Sequence, residues 1–566
     1  MPHLRLAIAQ INPTVGDLAG NTRKIVAAIR NAQEQNAHIV AIPELAITGY
    51  PPEDLVYKPH FIAENIAYAH KIATETTSIT AVYGFIDSDQ GILFNAAAIA
   101  SEGKIVDIYH KQQLPNYGVF DEARYFSTGT GSGIYIINGV SVAVNICEDI
   151  WYPEPIAKQK SQGAQLIINI NGSPYSAHKH EFRKQLLSKR AAENDITICY
   201  ANLVGGQDEL VFDGRSMIID NQGDILKEGP AFEEDLMIVD LTLQPSSPHK
   251  PATSHTISST REQLPSPSSL HTQNYLQDSY DLAVFYKALV VGTRDYVEKT
   301  GFNQVTLGLS GGIDSALVAC IAKDALGCDS VTAIAMPSMH SSPDSAEDAR
   351  LLSSNLGINF LLIPITALYQ TSMSVLTPYF EDRPIDITEE NLQARIRSNI
   401  LMAFSNKFNR MVLATGNKSE LATGYTTLYG DLSGGFAVIK DVPKTLVYKL
   451  AEWRNHQENS FNQIPERIIT KAPTAELRPN QMDQDSLPSY DILDPILEYY
   501  VEQDASIAQL VAMGFDKETV GFVTRLVDRN EYKRRQAPLG VKVTNRAFGK
   551  DRRFPLVNSY SEPTSD

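Results

Sequence analysis

Three side chains that could together hydrolyse an amide stand at the ends of predicted strands. Cys147 follows the alternating apolar run VSVAVNI, while Glu44 and Lys111 follow strands predicted for residues 38–42 and 104–110. Reactive groups in α/β layers collect at strand ends, where the chain turns outward. A thiolate can attack an amide carbonyl, a carboxylate can take the thiol proton, and a lysine can stabilise the oxyanion. A lone cysteine after an apolar run is more often a core residue, so this pattern alone does not establish catalysis.

The local sequence around these residues carries more information. The segments PELAITGYPPEDL, YHKQQLPNYGVFDEARYF and NICEDIWYPE resemble the nitrilase superfamily, whose triad is Glu-Lys-Cys, and the similarity covers most of residues 1–243. Carried over by position, the resemblance implies that Glu44 is the base, Lys111 the oxyanion partner and Cys147 the nucleophile. It also implies that Glu122, in FDEARYF, is a supporting carboxylate.

The branch of this superfamily that shares these sequence segments uses glutamine as its amide substrate. The resemblance therefore implies that Tyr117, Ser173 and Lys179 bind glutamine. Attack by the cysteine would release ammonia and leave a thioester, from which water would free glutamate.

A second candidate site is the glycine-rich loop in LGLSGGIDS, which lies between a predicted strand (304–309) and a predicted helix (315–324). Its glycines let backbone N–H groups turn toward an anion, and the helix N-terminus favours negative charge. The Walker A pattern GxxxxGK[ST] is absent. The full SGGxDS pattern resembles the ATP pyrophosphatases, which cleave ATP between the α- and β-phosphates to make an adenylated substrate.

Side chains elsewhere in the second half of the chain suit the same chemistry. Asp314 and Glu420 could share one Mg²⁺, because this hard cation prefers carboxylate and phosphate oxygens. Lys444 and Thr474 could contact phosphates. These residues predict a site for magnesium and ATP.

Four further segments, EENLQARIR, GNKSE, GDLSGGFAVIKDVPKT and KAPTAEL, closely resemble the NAD synthetases. Periodicity alone favours solvated side chains for Asn391 and Arg395, which lie four residues apart on a predicted helix. The resemblance instead implies that Asn391, Glu420 and Lys533 bind deamido-NAD. It also implies an ATP-binding set made of Gly308, Leu309, Ser310, Gly311, Gly312, Ile313, Asp314, Ser315 and Thr415.

Two α/β domains must position these sites. In residues 1–243 short β-rich runs mix with helical stretches, and the nitrilase resemblance implies an α-β-β-α sandwich. In residues 275–566 repeated βα units with apolar strands predict a doubly wound parallel sheet. The resemblance implies that this sheet belongs to the adenine nucleotide alpha hydrolase-like fold. Residues 244–274 are rich in Ser, Thr and Pro and predict a linker.

Composition limits the class of protein. Hydrophobic residues make up 43% and charged residues 20% of the 566, which is typical of a globular chain. The net charge of −17 argues against sequence-independent nucleic-acid binding, and no apolar run is long enough for a membrane span. Four cysteines without a CxxC pair, and no visible secretory signal, predict a cytoplasmic protein without disulfides. A homo-oligomer is the default expectation.

The resemblances together cover the whole chain and imply the glutamine-dependent branch of the NAD synthetase family. The implied reaction is ATP-driven adenylation of deamido-NAD, followed by amidation with ammonia from glutamine, to give NAD, AMP, pyrophosphate and glutamate. One alternative is the same chemistry on another carboxylate or on a nucleobase. Two others are a synthetase with an inactive amidase and a non-catalytic nucleotide-binding scaffold. The intact reactive residues argue against both of these.

Overall fold

A computed structural model describes residues 3–243, 281–460 and 462–559. The chain divides into two compact units, residues 1–278 (unit 1) and 279–566 (unit 2). The segment predicted as a linker, residues 244–274, lies outside the described residues. Within the described ranges, no helix is both long and apolar enough to cross a membrane.

The described residues of unit 1 form two six-stranded mixed sheets. The strands of the first are β1 (His3–Gln10), β2 (Ile39–Ala41), β3 (Thr80–Asp89), β4 (Ile92–Ser101), β5 (Lys104–His110) and β14 (Asp235–Thr242). Their order is β14-β1-β2-β3-β4-β5, with β1, β2 and β3 parallel. This sheet is flanked by helices α1 (Leu18–Glu34) and α2 (Pro59–Ala73).

The second sheet carries the nucleophile's strand. Its strands are β6 (Ile134–Ile137), β7 (Val140–Ile146), β8 (Leu166–Asn171), β9 (Thr197–Asn202), β12 (Met217–Ile219) and β13 (Ile225–Glu228). Their order is β13-β12-β9-β8-β7-β6, with β7, β8 and β9 parallel. The helices of this layer are α3 (Pro153–Ser161) and α4 (Lys179–Asn194), and a separate hairpin joins β10 (Val204–Gln207) to β11 (Leu210–Asp213).

Successive side chains along each strand point to opposite faces of the sheet, and this alternation determines how the layers pack. One face of each sheet contributes to a shared core that includes Ile8 of β1, Val144 of β7 and Ile168 of β8. The other faces pack on helices, for instance against Ile25 of α1 in the first sheet and Leu187 of α4 in the second. Unit 1 is therefore an α-β-β-α sandwich, as predicted.

Unit 2 is built on one parallel sheet. Its strands are β15 (Val305–Gly308), β16 (Val331–Ala335), β17 (Asn359–Leu362), β18 (Met411–Ala414) and β19 (Phe436–Ala437). The order β17-β16-β15-β18-β19 confirms the doubly wound prediction. Its helices are α5 (Leu282–Lys299), α6 (Ile313–Leu326), α7 (Pro343–Leu356), α8 (Thr366–Leu376), α9 (Ile387–Phe408), α10 (Lys418–Thr423) and α11 (Lys444–Asn455).

Short helices complete unit 2. They are α12 (Glu466–Thr470), α13 (Tyr490–Leu497), α14 (Ile507–Ala512), α15 (Lys517–Arg529) and α16 (Glu531–Arg534). Leu493, Leu510 and Val523 belong to the core that joins α13, α14 and α15. Asp386 is the N-cap of α9 and forms a capping box with Glu389.

Candidate functional site

Close packing of β3 against the turn that follows β2 holds the backbone of Glu44. The Gly84 N–H in β3 donates to the Pro43 carbonyl over 3.1 Å. A Cβ added at Gly84 would lie 2.1 Å from the Leu45 nitrogen and 2.6 Å from the Glu44 Cα. Only glycine leaves room for so close an approach, and Gly84 therefore sets the position of the Glu44 backbone.

Glu44, Lys111 and Glu122 form a buried ion cluster. Lys111 Nζ donates to Glu44 Oε1 at 2.6 Å and to Glu122 Oε1 at 2.9 Å. Asn95 Nδ2 donates to Glu44 Oε1 at 2.7 Å and to Glu122 Oε2 at 3.2 Å, and the Tyr50 hydroxyl donates to Glu122 Oε1 at 2.9 Å. The Glu44 and Lys111 side chains are both 0% exposed. One ammonium thus holds two carboxylates in fixed orientations.

Cys147 begins the short 3₁₀ helix Cys147–Ile150 directly after β7. Its φ of 44° lies in the left-handed region, which a non-glycine residue adopts when the surrounding structure enforces it. Asp149 supplies contacts that do so. Its carboxylate accepts the Ile146 N–H at 3.0 Å and the N–H groups of the two residues after Lys111 at 2.9 and 2.8 Å. The turn that carries the thiol is therefore tied to the lysine segment.

Burial and neighbouring charges set the protonation states in this cluster. Burial lowers the pKa of Lys111, but Glu122 and Glu44 outweigh it and the net pKa is raised, so the lysine is charged. The pKa of the Cys147 thiol is raised by burial and by Glu44, while Lys111 acts in the opposite direction. Burial also raises the pKa of Glu122 to about 7, although Lys111 lowers it. A resting thiol of this kind needs a base to take its proton.

Two residues predicted to bind glutamine, Tyr117 and Lys179, lie around the carboxylate of Glu148. The Tyr117 hydroxyl donates to Glu148 Oε1 at 2.9 Å, and Lys179 Nζ lies 5.7 Å from the centre of the Phe120 ring. Burial raises the pKa of Glu148, and Lys111, Tyr117 and Lys179 act against that rise. Glu148 was not among the predicted site residues, although its place next to the nucleophile was an available signal.

The third predicted glutamine contact, Ser173, lies in a segment that also contacts the base. The Ser173 N–H donates to Asn202 Oδ1 at 3.0 Å, and Asn202 Nδ2 donates to the Ser173 carbonyl at 3.2 Å. The preceding Gly172 donates its N–H to Glu44 Oε2 at 2.7 Å. Asn202 therefore clamps a segment that links the predicted glutamine contact to Glu44. No sequence signal pointed to Asn202, because its role consists of contacts with a distant loop.

In unit 2 the glycine-rich loop connects β15 to α6. Ser315 Oγ donates to the Gly312 carbonyl at 3.0 Å and accepts the Ser310 N–H at 3.3 Å. Gly311 has a φ of 81°, and a Cβ there would lie 2.4 Å from a carbonyl oxygen of α7. Thr415 directly follows β18, the neighbour of β15, and so lies at the same edge of the sheet. This edge is the switch point of the strand order, where ligands bind in such sheets.

The carboxylates of Asp314 and Glu420 converge on one lysine. Lys444 Nζ forms an ion pair with Asp314 Oδ2 and lies 3.5 Å from Glu420 Oε1. Asn417 Nδ2 donates to Asp314 Oδ1 at 2.9 Å, and the Asn417 side chain caps the helix that carries Glu420. Thr474, which was also expected to meet phosphates, donates its hydroxyl to a main-chain carbonyl at 2.6 Å. The structure thus places Lys444 between the two predicted metal ligands.

The charges of this group suit a cation. Burial raises the pKa of Glu420, with Lys444 acting against the rise and Asp314 adding to it. Burial lowers the pKa of Lys444, but Asp314 and Glu420 outweigh it, so the net pKa is raised. In the described part of the chain, no group of three or more His, Cys, Asp or Glu forms a ready metal site. Two carboxylates that share one ammonium nevertheless fit a hard cation that takes its remaining ligands from phosphate and water.

The residues predicted to bind deamido-NAD in α9 and near the C-terminus contact the loop that follows α10. Asn391 Oδ1 accepts the Thr427 hydroxyl at 2.7 Å. Lys533 Nζ donates to the carbonyls of Gly424 and Thr426 at 2.7 and 2.8 Å. The structure therefore brings Asn391 and Lys533 to one loop, and neither is the freely solvated side chain that periodicity alone favoured for Asn391.

Two family models match the chain, a carbon-nitrogen hydrolase over residues 5–248 and an NAD synthase over residues 285–537. The chain is 46% identical to the glutamine-dependent NAD(+) synthetase of Thermotoga maritima, with 100% of both chains covered. It is 44% identical to the glutamine-dependent NAD(+) synthetase of Aquifex aeolicus, with 98% of this chain and 100% of the relative covered.

Solved structures give the same result. Glutamine-dependent NAD+ synthetase from Acinetobacter baumannii, solved in complex with ADP, is similar with a TM-score of 0.75 and 41% identity, covering 99% of this chain and 100% of that one. A glutamine-dependent NAD(+) synthetase from Cytophaga hutchinsonii has a TM-score of 0.82 at 22% identity and covers 98% of both chains. The latter likeness concerns the fold alone.

Proposed function

Because this chain belongs to the family of glutamine-dependent NAD(+) synthetases, we propose that residues 1–243 release ammonia from glutamine and that residues 275–566 use it to amidate deamido-NAD with ATP. Residues 244–274 would connect the two. The observation that carries the proposal is the buried Lys111–Glu44 pair, whose charges act on the Cys147 thiol. Family membership favours deamido-NAD over other carboxylate acceptors.

In the glutaminase half, Cys147 Sγ attacks the glutamine amide carbon while Glu44 takes the thiol proton. The oxyanion is stabilised by the Lys111 ammonium and by the N–H of Glu148. Glu44 then passes the proton to the departing ammonia, and a thioester remains. Water, deprotonated by Glu44, hydrolyses the thioester to glutamate. Glu122 keeps Lys111 in place through its 2.9 Å contact.

Glutamine binding follows from charge complementarity. Lys179, whose charge acts on Glu148, would pair with the α-carboxylate of glutamine, and Glu148 would pair with its α-ammonium. Tyr117 orients Glu148 through its hydroxyl, and Ser173 lies next to Gly172, which contacts Glu44. The charged end and the reacting end of glutamine are thus held by different side chains.

In the synthetase half, ATP binds along the loop of residues 308–315 and at Thr415, while deamido-NAD binds at Asn391, Glu420 and Lys533. The carboxylate of the nicotinate ring attacks the α-phosphorus of ATP and pyrophosphate leaves. Ammonia then displaces AMP from the acyl adenylate and forms the amide of NAD. Adenylation is needed because a free carboxylate does not react with ammonia.

Asp314 and Glu420 are the residues that would hold Mg²⁺, since both already face one cation, the Lys444 ammonium. A bound Mg²⁺ would neutralise charge on the phosphate oxygens. The loop of residues 308–315 contributes backbone N–H groups at the start of α6, which suit the departing pyrophosphate.

A homo-oligomer is supported by exposed apolar side chains on and after α8. Val375 is 60% exposed, Tyr379 79% and Ile385 82%. A patch of exposed apolar groups is typical of an interaction surface, and these three side chains lie in one stretch of chain. Sedimentation velocity over a range of concentrations tests this, and a monomer at all of them would contradict it. A cytoplasmic location remains a prediction from the sequence.

NAD formation from deamido-NAD, ATP and Mg²⁺, with either glutamine or ammonium as nitrogen donor, tests the proposed function. Wild type should use both donors, and Cys147→Ala should use ammonium only. Cys328→Ala is the matched control, because this cysteine is half-buried in unit 2, and it should behave as wild type. If wild type makes NAD from neither donor, the assigned acceptor is wrong.

A further inference from the structure

The ammonium of Lys444 occupies the point on which the two proposed metal ligands converge. Nζ pairs with Asp314 Oδ2 and lies 3.5 Å from Glu420 Oε1, and the Lys444 side chain is 3% exposed. The Asp314 and Glu420 side chains are each 18% exposed. The carboxylates thus remain accessible to a ligand while their shared partner is buried.

We propose that Lys444 is the resident cation of this site in the nucleotide-free enzyme and moves onto phosphate oxygens when a divalent ion and ATP bind. This inference rests on the proposed function, which assigns Mg²⁺ to Asp314 and Glu420. Its consequence is that the divalent ion binds weakly alone and tightly with nucleotide. Lys444 therefore couples metal binding to nucleotide binding.

The balance of charge gives the physical reason. Three further carboxylates act on Glu420, those of Asp314, Asp483 and Asp431, so four carboxylates share this region. Buried carboxylates without a cation are strongly destabilising, and Lys444 offsets part of their charge. A divalent ion that enters alone would displace the ammonium from Asp314 and Glu420 without supplying a phosphate to replace them. Phosphate oxygens supply new partners for the ammonium, so metal and nucleotide each favour binding of the other.

Main-chain contacts fix the base of the Lys444 side chain and leave its end able to move. Lys444 is the first residue of α11, and its N–H donates to Ser419 Oγ at 2.9 Å. Ser419 Oγ donates in turn to Asp494 at 2.5 Å, and Asp494 also accepts the Thr445 N–H at 2.8 Å. The flexible four-carbon stem of lysine can then exchange partners without main-chain movement. Asp314 lies in the first turn of α6, directly after the glycine-rich loop, so the ammonium already lies beside the expected phosphates.

Mn²⁺ binding to the full chain, followed by electron paramagnetic resonance with and without α,β-methylene-ATP, tests this inference. Without nucleotide, Lys444→Met should bind Mn²⁺ about ten-fold more tightly than wild type, because the competing positive charge is gone. Lys444→Arg keeps that charge and should bind as weakly as wild type. Lys440→Met removes an equal charge from the same segment, but this ammonium donates to the Pro538 carbonyl at 2.7 Å. It should leave Mn²⁺ affinity unchanged.

The analogue should raise the Mn²⁺ affinity of wild type by a larger factor than that of Lys444→Met. Equal affinity of wild type and Lys444→Met without nucleotide would overturn the inference. Lys444→Gln repeats the comparison if circular dichroism reveals that the methionine variant has not folded. Asp314→Asn separates this inference from the proposed function. If it leaves Mn²⁺ affinity with the analogue unchanged, the metal assignment and the inference both fall. If it weakens that affinity while Lys444→Met changes nothing, only the inference falls.

Discussion

Replacement of Gly84 by alanine tests whether close strand packing positions the catalytic base. The new Cβ would lie 2.1 Å from the Leu45 nitrogen and 2.6 Å from the Glu44 Cα, whereas ordinary contacts of a Cβ lie at 3.4–4 Å. The two backbones must therefore separate by about 1 Å, and misplacement of a catalytic group by that amount costs on the order of 10²-fold in rate. Overpacking should also destabilise the chain by about 1–3 kcal/mol.

Two activities measured in one preparation make this prediction decisive. Gly84→Ala should release glutamate from glutamine on the order of 10²-fold more slowly than wild type, whereas NAD formation from ammonium should keep its rate because it uses unit 2. Gly131→Ala is the matched control, since a Cβ there meets nothing within 4 Å. Thermal unfolding reports any loss of stability. If Gly84→Ala released glutamate at the wild-type rate, the idea that Gly84 positions Glu44 would be wrong.

Three further substitutions test other contacts. The pKa of Glu122 is raised to about 7, so this carboxyl is neutral below that pH and charged above it. The kcat/KM of glutaminase should rise through pH 7 in wild type. In Glu122→Gln this rise should disappear and kcat/KM should fall on the order of 10²-fold. An unchanged pH profile would contradict the supporting role of Glu122. Asn202→Leu removes both hydrogen bonds to the Ser173 main chain. It should raise the KM for glutamine about ten-fold and lower kcat by a smaller factor. An unchanged KM would refute the role of Asn202 as a clamp. Asp494→Ala should lower NAD formation from either donor on the order of 10²-fold and leave glutamate release unchanged. Asp491 is exposed on the same helix, and Asp491→Ala should change neither activity. Equal rates of NAD formation in the two variants would refute this prediction.

Short-range patterns predicted much of the fold and many of the site residues. Alternating apolar residues in β7 predicted that Cys147 follows the end of a strand. The glycine-rich segment before α6 predicted that residues 308–315 lie at the start of a helix. The bounds of β5 agree with the strand predicted over residues 104–110. These features depend on residues that are close together in the chain, so the sequence alone contains the information that predicts them.

The roles of Glu148, Asn202 and Gly84 were decided by tertiary structure. Each depends on a partner that lies far along the chain, such as the loop after β8 for Asn202. The same holds for Lys444, whose partner Asp314 is 130 residues away, so local sequence gives its charge but not the ion that it balances. The sequence by itself determined which reactive groups the chain carries and that strand and helix ends present them. Only the packing of the sheets decided which of these groups share a desolvated space, and burial there sets their charges.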